Sequence, residues 1–532
     1  MAQPKTLLAV FLALATTASA QTSKPQLSQP LTVAEASGYA KTSRSADVVA
    51  FLHKLEKLQH ANRLRRLACG RSTEGRELPL VIVSEPPLAD DDAVMKSNSL
   101  RLLVIGNIHA GEVEGKEAVQ ILLRELANGK HTDLLEHAVL LFLPIYNPDG
   151  NDKISTRNRR GQNGPVGGVG RRPNGQGFDL NRDFIKGEAP ETKALYGIWN
   201  RYDPHVFIDL HATNGSAHGY HLTYSPSLAA NVDEGLRQFT RETFLKGIRA
   251  ATKEKHGFRL YDYGTFARRR TAWRTYDHRP RFGTNCFGLR NRIAVLSEAF
   301  SYISFEQRIK VTRAFVLETL RAAVARRDDI KKLCAAADAR MQKDGVRFGY
   351  DTELEEPWED AILVGSVTRE RVEGGTYRNV AGDKFEPKKM QVQIAFVAKK
   401  SIALPQAWAI RSASEKVLAA LQAHGVRFWK LEEPRRVIAE VFQPTSVRKS
   451  RRVFQKHYEV RIQGSYQKQE IELGAGTVWV PARQRLGRLA AQALEAVSED
   501  SLATWNYFDG QLQEIEYGSY PAYPVVRVLG VR

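Results

Sequence analysis

The chain has 532 residues, of which 42% are apolar, and a formal net charge of +19. This length exceeds one ordinary hydrophobic core and predicts two or three domains. The basic stretches are scattered and match no recognisable nucleic-acid-binding module, so a nucleic-acid partner is not expected. The positive charge instead favours a weak attraction to an anionic cell envelope.

The first twenty residues, MAQPKTLLAVFLALATTASA, have the pattern of a secretory signal. Lys5 precedes an apolar core, and small residues end the segment before Gln21. No later apolar run approaches the roughly 18 residues that a membrane span needs. We therefore predict that residues 1–20 are a cleaved signal peptide and that the mature chain is exported, either to a periplasm or into the medium.

From about residue 100 to 330, apolar strands alternate with helical patterns. Strands are predicted at 101–105, 138–145, 206–210 and 293–298, and helices at 112–127, 189–201, 231–255 and 305–327. Before them, a helical pattern around 46–67 precedes a strand at 78–84. The alternation predicts an α/β fold, with a mixed, mostly parallel sheet sandwiched by helices. Ligands of such sheets bind at the carboxyl ends of the strands.

The pattern changes after about residue 335. The segments ILVGSV, KMQVQIAFVA, YEVRIQGSY and TVWVPA predict strands, and helices are expected near 412–424 and 482–497. We therefore predict a catalytic domain over 21–335 and a smaller accessory domain, mixed α/β or β-rich, over 336–532. The accessory domain carries no motif with an evident chemical role. We expect it to pack on the catalytic domain or to limit access to its cleft.

Two of the predicted strands lead into histidines. His109 follows the strand at 101–105 and has Glu112 three residues later, and His211 comes directly after the strand at 206–210. Two imidazoles and one carboxylate are the usual three ligands of a catalytic zinc, which leaves one position for water. The sequence contains no His-Glu-x-x-His motif, which excludes that other common zinc arrangement. A solvated polar turn is the alternative for His109 and Glu112.

Three more carboxylates are considered for a role at this site. Asp179, in FDLNRDF, could accept a hydrogen bond from a ligand histidine and fix its tautomer. Asp209, two residues before His211, is expected to point to the opposite face of the strand, away from the metal. Glu298 ends an apolar strand, where desolvation could raise its pKa towards that of a general base. A carboxylate that caps a helix is the alternative for Glu298.

Six segments occur together in one order: GRSTEGR, HAGE, YNPDG, DLNRDF, DLHATNG and LSEAF, between about residues 70 and 320. Through them the chain resembles the carboxypeptidase A-like family of zinc metallocarboxypeptidases, as an exported bacterial-type member. The resemblance implies one Zn²⁺ per chain, with His109, Glu112 and His211 as its ligands. It also implies that Glu298 is the general base and that Asn181 and Arg182 hold the terminal carboxylate of the substrate.

The resemblance suggests two further site residues. Tyr276 lies 22 residues before Glu298, which is the family's interval for a mobile tyrosine near the scissile carbonyl. A packing role is the alternative for this tyrosine. The loop after YNPDG holds several arginines, and Arg157 aligns best with the arginine that faces the scissile carbonyl.

The sequence departs from the family pattern at Asp183, where the family most often has an asparagine or another polar residue. This aspartate would add a negative charge beside the carboxylate-binding pair, and three cations could offset it: Lys186, Arg290 and Arg292. Gly283 stands seven positions after Tyr276, so no acidic residue there supports a preference for basic terminal residues.

The resemblance implies hydrolysis of the C-terminal peptide bond of peptides or proteins, by a zinc-activated water with Glu298 as the base. Two other functions remain open. A deacylase or amidase on the same scaffold would cleave acylated amino acids or cell-wall peptides with the same residues. A binding protein that has lost catalysis is disfavoured, because all three ligands and Glu298 are present.

Overall fold

The structure is a computed structural model that describes Met1 and residues 29–213, 215–267, 270–371, 377–516 and 518–532. Apart from Met1, the predicted signal peptide lies outside the described residues, so its assignment stays a prediction. No helix in the described ranges is both long enough and apolar enough to cross a membrane.

Most helices of the described chain lie before residue 341. They are α1 (Val33–Ala36), α2 (Ser45–Leu55), α3 (Asp91–Lys96), α4 (Glu114–Ala127), α5 (Thr132–Leu135), α6 (Pro148–Asp152), α7 (Pro190–Tyr202), α8 (Glu234–Gln238), α9 (Leu245–His256), α10 (Gly283–Gly288), α11 (Phe305–Ala325), α12 (Arg327–Arg340), α13 (Glu415–His424) and α14 (Gly487–Leu494).

Strands occur along the whole described chain. They are β1 (Leu64–Arg71), β2 (Glu77–Val83), β3 (Leu100–Gly106), β4 (Ala138–Leu143), β5 (Val206–Thr213), β6 (Leu222–Pro226), β7 (Leu260–Asp262), β8 (Thr265–Phe266), β9 (Ala272–Arg274), β10 (Ile293–Phe300), β11 (Arg347–Leu354), β12 (Trp358–Arg371), β13 (Tyr377–Gln393), β14 (Phe396–Ala403), β15 (Ala407–Ile410), β16 (Trp429–Lys430), β17 (Arg435–Lys449), β18 (Val460–Leu473), β19 (Val478–Pro481) and β20 (Val525–Val531).

An eight-stranded sheet forms the centre of the first part of the chain, in the order β1-β2-β4-β3-β5-β10-β6-β7. Its central strands β4, β3, β5 and β10 are parallel, whereas β2 and β6 flank them antiparallel. The central strands are apolar almost without interruption, which is typical of strands that are buried on both faces. Their carboxyl ends meet at one edge of the sheet.

Helices cover both faces of this sheet. On β5, the ring of Phe207 lies 5.4 Å from that of Trp199 in α7 and 5.0 Å from that of Phe287 in α10. Leu210, three positions later on the same strand, points to the other face and packs on Gly115 of α4. A Cβ at Gly115 would lie 2.7 Å from the Cβ of Leu210, so only glycine permits this approach. The predicted α/β fold is confirmed.

Two predicted helices differ from the structure. The pattern at 46–67 forms only α2, which ends at Leu55, and the segment Leu64–Arg71 pairs instead with β2 as an antiparallel strand. Pairing at the sheet edge therefore overrides the local helical pattern. The predicted helix at 231–255 is interrupted by a π-helical segment, Phe239–Phe244, between α8 and α9.

The region after residue 340 is β-rich, as predicted. Its largest sheet has six strands in the order β16-β19-β15-β20-β17-β18. Another sheet joins the two parts of the chain, because β13 pairs with β9. The predicted domain boundary at residue 335 falls within α12. The division into catalytic and accessory domains stays a prediction, and "C-terminal region" below means residues 341–532.

Candidate metal centre and catalytic cavity

The three predicted ligands meet at the carboxyl edge of the large sheet. His109 lies in the turn after β3, Glu112 comes two residues before α4, and His211 lies near the end of β5. Strands β3 and β5 are parallel neighbours, which is why their ends bring the two histidines together. All three side chains are buried.

The ligand atoms of these three residues all lie within 4.8 Å of one another, so they could hold a metal ion. The Nδ1 atom of His109 lies 3.0 Å from Oε1 of Glu112, and Nδ1 of His211 lies 2.9 Å from Oε2 of Glu112. The two Nδ1 atoms are 3.1 Å apart. Two imidazole nitrogens turned towards each other and towards one carboxylate form a donor set that suits Zn²⁺.

A further carboxylate lies close to the Nε2 atom of each histidine, on the side of the ring away from the ligand cluster. Oδ1 of Asp179 lies 3.1 Å from Nε2 of His109, as the sequence predicts. Oδ2 of Asp209 lies 2.9 Å from Nε2 of His211, which corrects the expectation that Asp209 points away. Residues two apart on a strand share a face, so Asp209 and His211 belong together. Both arrangements turn Nδ1 towards the ligand cluster.

The charges in this cluster stabilise one another. Burial opposes ionisation of Glu112, but Arg159 and His109 hold the pKa of its carboxyl well below the usual range. Burial alone would lower the pKa of His211, but the carboxylates of Asp209 and Glu112 raise it well above the usual value. A buried cluster of this kind is typical of a functional site.

Two loop arginines lie beside the cluster, Arg159 and Arg172, and Arg157 lies elsewhere. Nη1 of Arg172 is 3.9 Å from Oε1 of Glu112, and Arg172 lines the cavity described below. The Arg159 guanidinium donates a hydrogen bond to Oε1 of Glu112. Arg157 is exposed, and its backbone N–H donates to Oγ of Ser155. Arg159 has a φ of +46°, which is a left-handed backbone conformation. Sequence alignment alone does not reveal this conformation.

Glu298 lies opposite His211 in the parallel pairing of β10 with β5. Burial raises the pKa of its carboxyl to about 8. His211 and Arg159 act in the opposite direction, and Glu112 adds to the increase. A carboxylate with a raised pKa is a stronger base than an exposed glutamate, which suits a group that takes up a proton.

A cavity of about 530 Å³ opens beside the cluster. Six of the predicted site residues line it: His109, Glu112, Asn181, Arg182, Tyr276 and Glu298. A larger cleft of about 960 Å³ shares Asp277 and Arg279 with this cavity. Of the other three predicted site residues, His211 and Asp179 contact residues that line this cavity, and Arg157 does not lie at it.

Arg182 and Asn181 occupy one side of the cavity. The Arg182 guanidinium lies 3.9 Å above the ring of Phe282, and its Nη1 is 3.9 Å from Oδ2 of Asp179. Oδ1 of Asn181 accepts a hydrogen bond of 2.8 Å from the Gly283 N–H, which fixes the orientation of the amide. The stacked guanidinium still presents donors to a ligand in the cavity.

Tyr276 also faces the cavity. Its hydroxyl shares a hydrogen bond of 3.1 Å with Oγ1 of Thr284, and its ring packs edge-on against Tyr263 and Phe282. Burial raises the pKa of its hydroxyl above the usual value, so the tyrosine stays protonated near neutral pH.

The negative charge of Asp183 is neutralised locally. Lys186 donates to its carboxylate, and the backbone N–H groups of Glu188 and Ala189 donate to it at 3.2 and 2.9 Å. The other two proposed cations have different partners. Arg290 donates to the His424 carbonyl and to Asn200, and Arg292 binds Asp203 and Asp338.

Two residues at the site come from the C-terminal region and carry no signal in the sequence. Phe454 lines the cavity, and Oε1 of Gln455 accepts a hydrogen bond of 2.9 Å from the Asp179 N–H. The Gln455–Asp179 contact joins residues that are 276 positions apart. Neither residue belongs to a recognisable motif.

The fold and the site define a class: an α/β protein with three side chains that could hold a metal ion at the carboxyl edge of its sheet. Residues 48–278 match the family model of the zinc carboxypeptidases. Over these residues the chain carries a domain that matches the zinc carboxypeptidases, as its motifs predict.

Proteins with similar sequences and folds carry related names. Carboxypeptidase 2 of Trichophyton tonsurans is 25% identical over 479 residues, which cover 86% of this chain and 81% of that protein. Human carboxypeptidase D is 31% identical over 177 residues, which cover 31% of this chain and 12% of that protein. A metallocarboxypeptidase structure from Pseudomonas aeruginosa is 18% identical, covers 55% of this chain and 71% of that one, and has a TM-score of 0.41.

Proposed function

We propose that this protein removes the C-terminal residue of peptides or proteins in a zinc-dependent hydrolysis with Glu298 as the general base. One observation carries the proposal. Two members of the three-ligand cluster, a carboxyl with a raised pKa and the Arg182 guanidinium line one cavity.

His109, Glu112 and His211 would hold one Zn²⁺, with Asp179 and Asp209 orienting the two imidazoles. Zinc at a site with three protein ligands and one open position lowers the pKa of a coordinated water to ~7 and polarises a carbonyl.

Glu298 would take a proton from the attacking water and return it to the leaving amine. Its position opposite His211 puts its carboxyl at the edge of the ligand cluster. Its burial favours the protonated form, which strengthens the carboxylate as a base towards the attacking water.

Arg182 in the cavity and Arg159 beside the ligand cluster would position the substrate. Arg182 and Asn181 would bind the terminal carboxylate, because a planar guanidinium can donate two parallel hydrogen bonds to it. Arg159 would face the oxygen of the scissile carbonyl and stabilise the negative charge that develops there. In this proposal Arg159 replaces Arg157. Tyr276 would donate from its protonated hydroxyl at the same end of the cavity.

The sequence supports a setting for this reaction outside the cytoplasm. Export after removal of residues 1–20 would bring the enzyme to peptide and protein C-termini in a periplasm or in the medium. The C-terminal region would act there as an accessory domain that shapes the cleft.

The test compares a peptide with a free C-terminus, the same peptide as its C-terminal amide, and an N-acyl amino acid. We expect the zinc-loaded protein to shorten the free peptide by one residue and to act poorly on the other two. Glu298→Gln should lower kcat/KM by about 10²–10⁴-fold, whereas the control Glu306→Gln, at the exposed start of α11, should not. Preferential cleavage of the N-acyl amino acid would favour the deacylase, and full activity of Glu298→Gln would contradict the role of Glu298.

A further inference from the structure

A tight turn of the C-terminal region projects Phe454 into the catalytic cavity. The Phe454 N–H donates to the His457 carbonyl at 2.8 Å, and the His457 N–H donates to the Phe454 carbonyl at 2.9 Å. The two residues between them, Gln455 and Lys456, have φ values of +51° and +64°. Positive φ at both central positions is typical of a type I′ turn, which glycine and asparagine normally form. Neither residue is of that kind, so the turn is strained.

Contacts on three sides hold this strained turn against the catalytic region. Gln455 accepts from the Asp179 N–H at 2.9 Å, and Nζ of Lys456 lies 4.5 Å from the centre of the Phe178 ring. Nε2 of His457 lies 2.8 Å from Oε2 of Glu188. Backbone strain that several contacts maintain is found mostly at functional sites.

The position of Phe454 follows from these contacts. Gln455, its neighbour, bonds to Asp179, whose carboxylate is 3.9 Å from Nη1 of Arg182. Phe454 therefore faces the end of the cavity where the proposed function places the terminal carboxylate of the substrate. Five other apolar or aromatic side chains line the same cavity: Ala212, Tyr263, Tyr276, Phe282 and Leu296.

The cations nearest to Phe454 already have partners. Arg281 lies 5.7 Å from the Phe454 ring and is bound to Asp500 and Glu459, each at 2.8 Å. The Arg279 Nε donates to both oxygens of Asp277 at 2.8–2.9 Å. This end of the cavity therefore offers aromatic surface and neutralised charge to the substrate, apart from Arg182.

We propose that Phe454 forms part of the pocket for the side chain of the substrate's C-terminal residue and makes the enzyme select large apolar residues over small ones. The inference rests on the proposed function and deepens it. It assigns a specificity-determining residue to the C-terminal region, outside the segment that matches the zinc carboxypeptidase family.

The experiment measures kcat/KM for two peptides that differ only in a terminal phenylalanine or alanine. The ratio of the two values should fall about tenfold or more in Phe454→Ala, because a lost apolar contact in a pocket changes discrimination by 10–200-fold. Phe454→Tyr should keep the ratio within about threefold, since the ring remains. The matched control is Tyr458→Ala, which removes an exposed aromatic residue four positions away, outside the cavity.

A second measurement distinguishes a loss of substrate selectivity from a failure of the variant to fold. Free phenylalanine should inhibit the wild type more strongly than free alanine, and Phe454→Leu should reduce that difference even if Phe454→Ala does not fold. An equal loss of kcat/KM on both peptides, or an unchanged ratio, would overturn the role of Phe454 while the proposed function stands. If the zinc-loaded wild type cleaves neither peptide, the proposed function itself fails.

Discussion

Arg159 and Arg157 stand two residues apart in one loop and have different surroundings. Arg159 contacts Glu112 in the ligand cluster, whereas Arg157 is exposed. We expect Arg159→Gln to lower kcat/KM by about 10²–10³-fold, as the loss of a donor to a developing oxyanion does. Arg157→Gln should stay within about twofold of the wild type. Steady-state kinetics with one peptide decide the question, and the reverse order of effects would return the role to Arg157.

Arg182 is expected to act through the planar shape of its guanidinium. Arg182→Lys keeps the charge but loses the bidentate geometry, so KM for a peptide with a free C-terminus should rise about tenfold. The amide of that peptide should be affected little, because it lacks the carboxylate. Arg237→Lys, at a surface ion pair of α8, serves as the control. An equal effect on both peptides would mean that Arg182 does not bind the carboxylate.

At the scale of single residues, the sequence predicts the metal ligands but not all of the side chains that contact them. His109, Glu112 and His211 follow or end apolar strands, and parallel strands bring such residues to one edge. The expectation that Asp209 points away from the metal is wrong, because strand alternation puts Asp209 and His211 on one face. Arg159 is different, because its position depends on a left-handed backbone conformation inside a long irregular loop.

A buried ion pair within helix α4, Lys116–Glu117, forms hydrogen bonds to the N-terminal segment. Glu117 accepts from the Thr42 hydroxyl and from the N–H and hydroxyl of Ser43 at 2.8–3.0 Å, and Nζ of Lys116 lies 3.3 Å from it. Glu117→Ala would leave the Lys116 charge buried without a carboxylate partner, so we expect a loss of ~3–5 kcal/mol in the free energy of unfolding.

Urea unfolding of Glu117→Ala and of the wild type measures this loss. The control is Glu306→Ala, because Glu306 pairs with Lys310 at the surface of α11 and such pairs contribute ~0–1 kcal/mol. Equal stability losses in the two variants would contradict the importance of the buried pair.

The apolar runs of the sequence predict the central strands of the large sheet, but they do not predict its edge strand β1. Strands β3, β4, β5 and β10 are where the sequence predicts them, within a few residues. Strand β1 is missed because its residues also fit a helical pattern and only its pairing with β2 decides between the two. The pairing of β9 with β13 likewise depends on segments more than one hundred residues apart.

At the scale of the molecule, Glu188 links the two parts of the chain. Burial opposes its ionisation, but His457, Lys186 and Lys416 lower the pKa of its carboxyl to about 2. A carboxyl whose pKa is lower in the folded state stabilises the fold above its unfolded pKa near 4.5 and loses that contribution as pH falls towards about 2.

We therefore expect Glu188→Gln to be less stable than the wild type at pH 6 and to show a shallower loss of stability between pH 4.5 and 2. The slope should change by up to one proton per molecule, which urea unfolding at a series of pH values measures. The control Glu234→Gln alters an exposed pair on α8. Parallel curves for Glu188→Gln and the wild type would contradict the link.

The joining of the C-terminal region to the site is the part of the structure that the sequence predicts least. Gln455 and His457 reach residues of the first part of the chain across more than 260 positions, and Phe454 lines the catalytic cavity. No local pattern encodes such contacts, because they depend on how two separately built sheets pack. The sequence predicts only that this region packs on the catalytic domain or limits access to the cleft.

The most direct test of the metal centre is the zinc content of purified protein after exposure to Zn²⁺ and removal of the excess, measured by mass spectrometry of the metal. The wild type and Glu298→Gln should each hold about one zinc per chain, while Glu112→Ala should hold far less. A wild type that binds no zinc, or a Glu112→Ala variant that binds as much as the wild type, would contradict the three-ligand centre on which the proposed function depends.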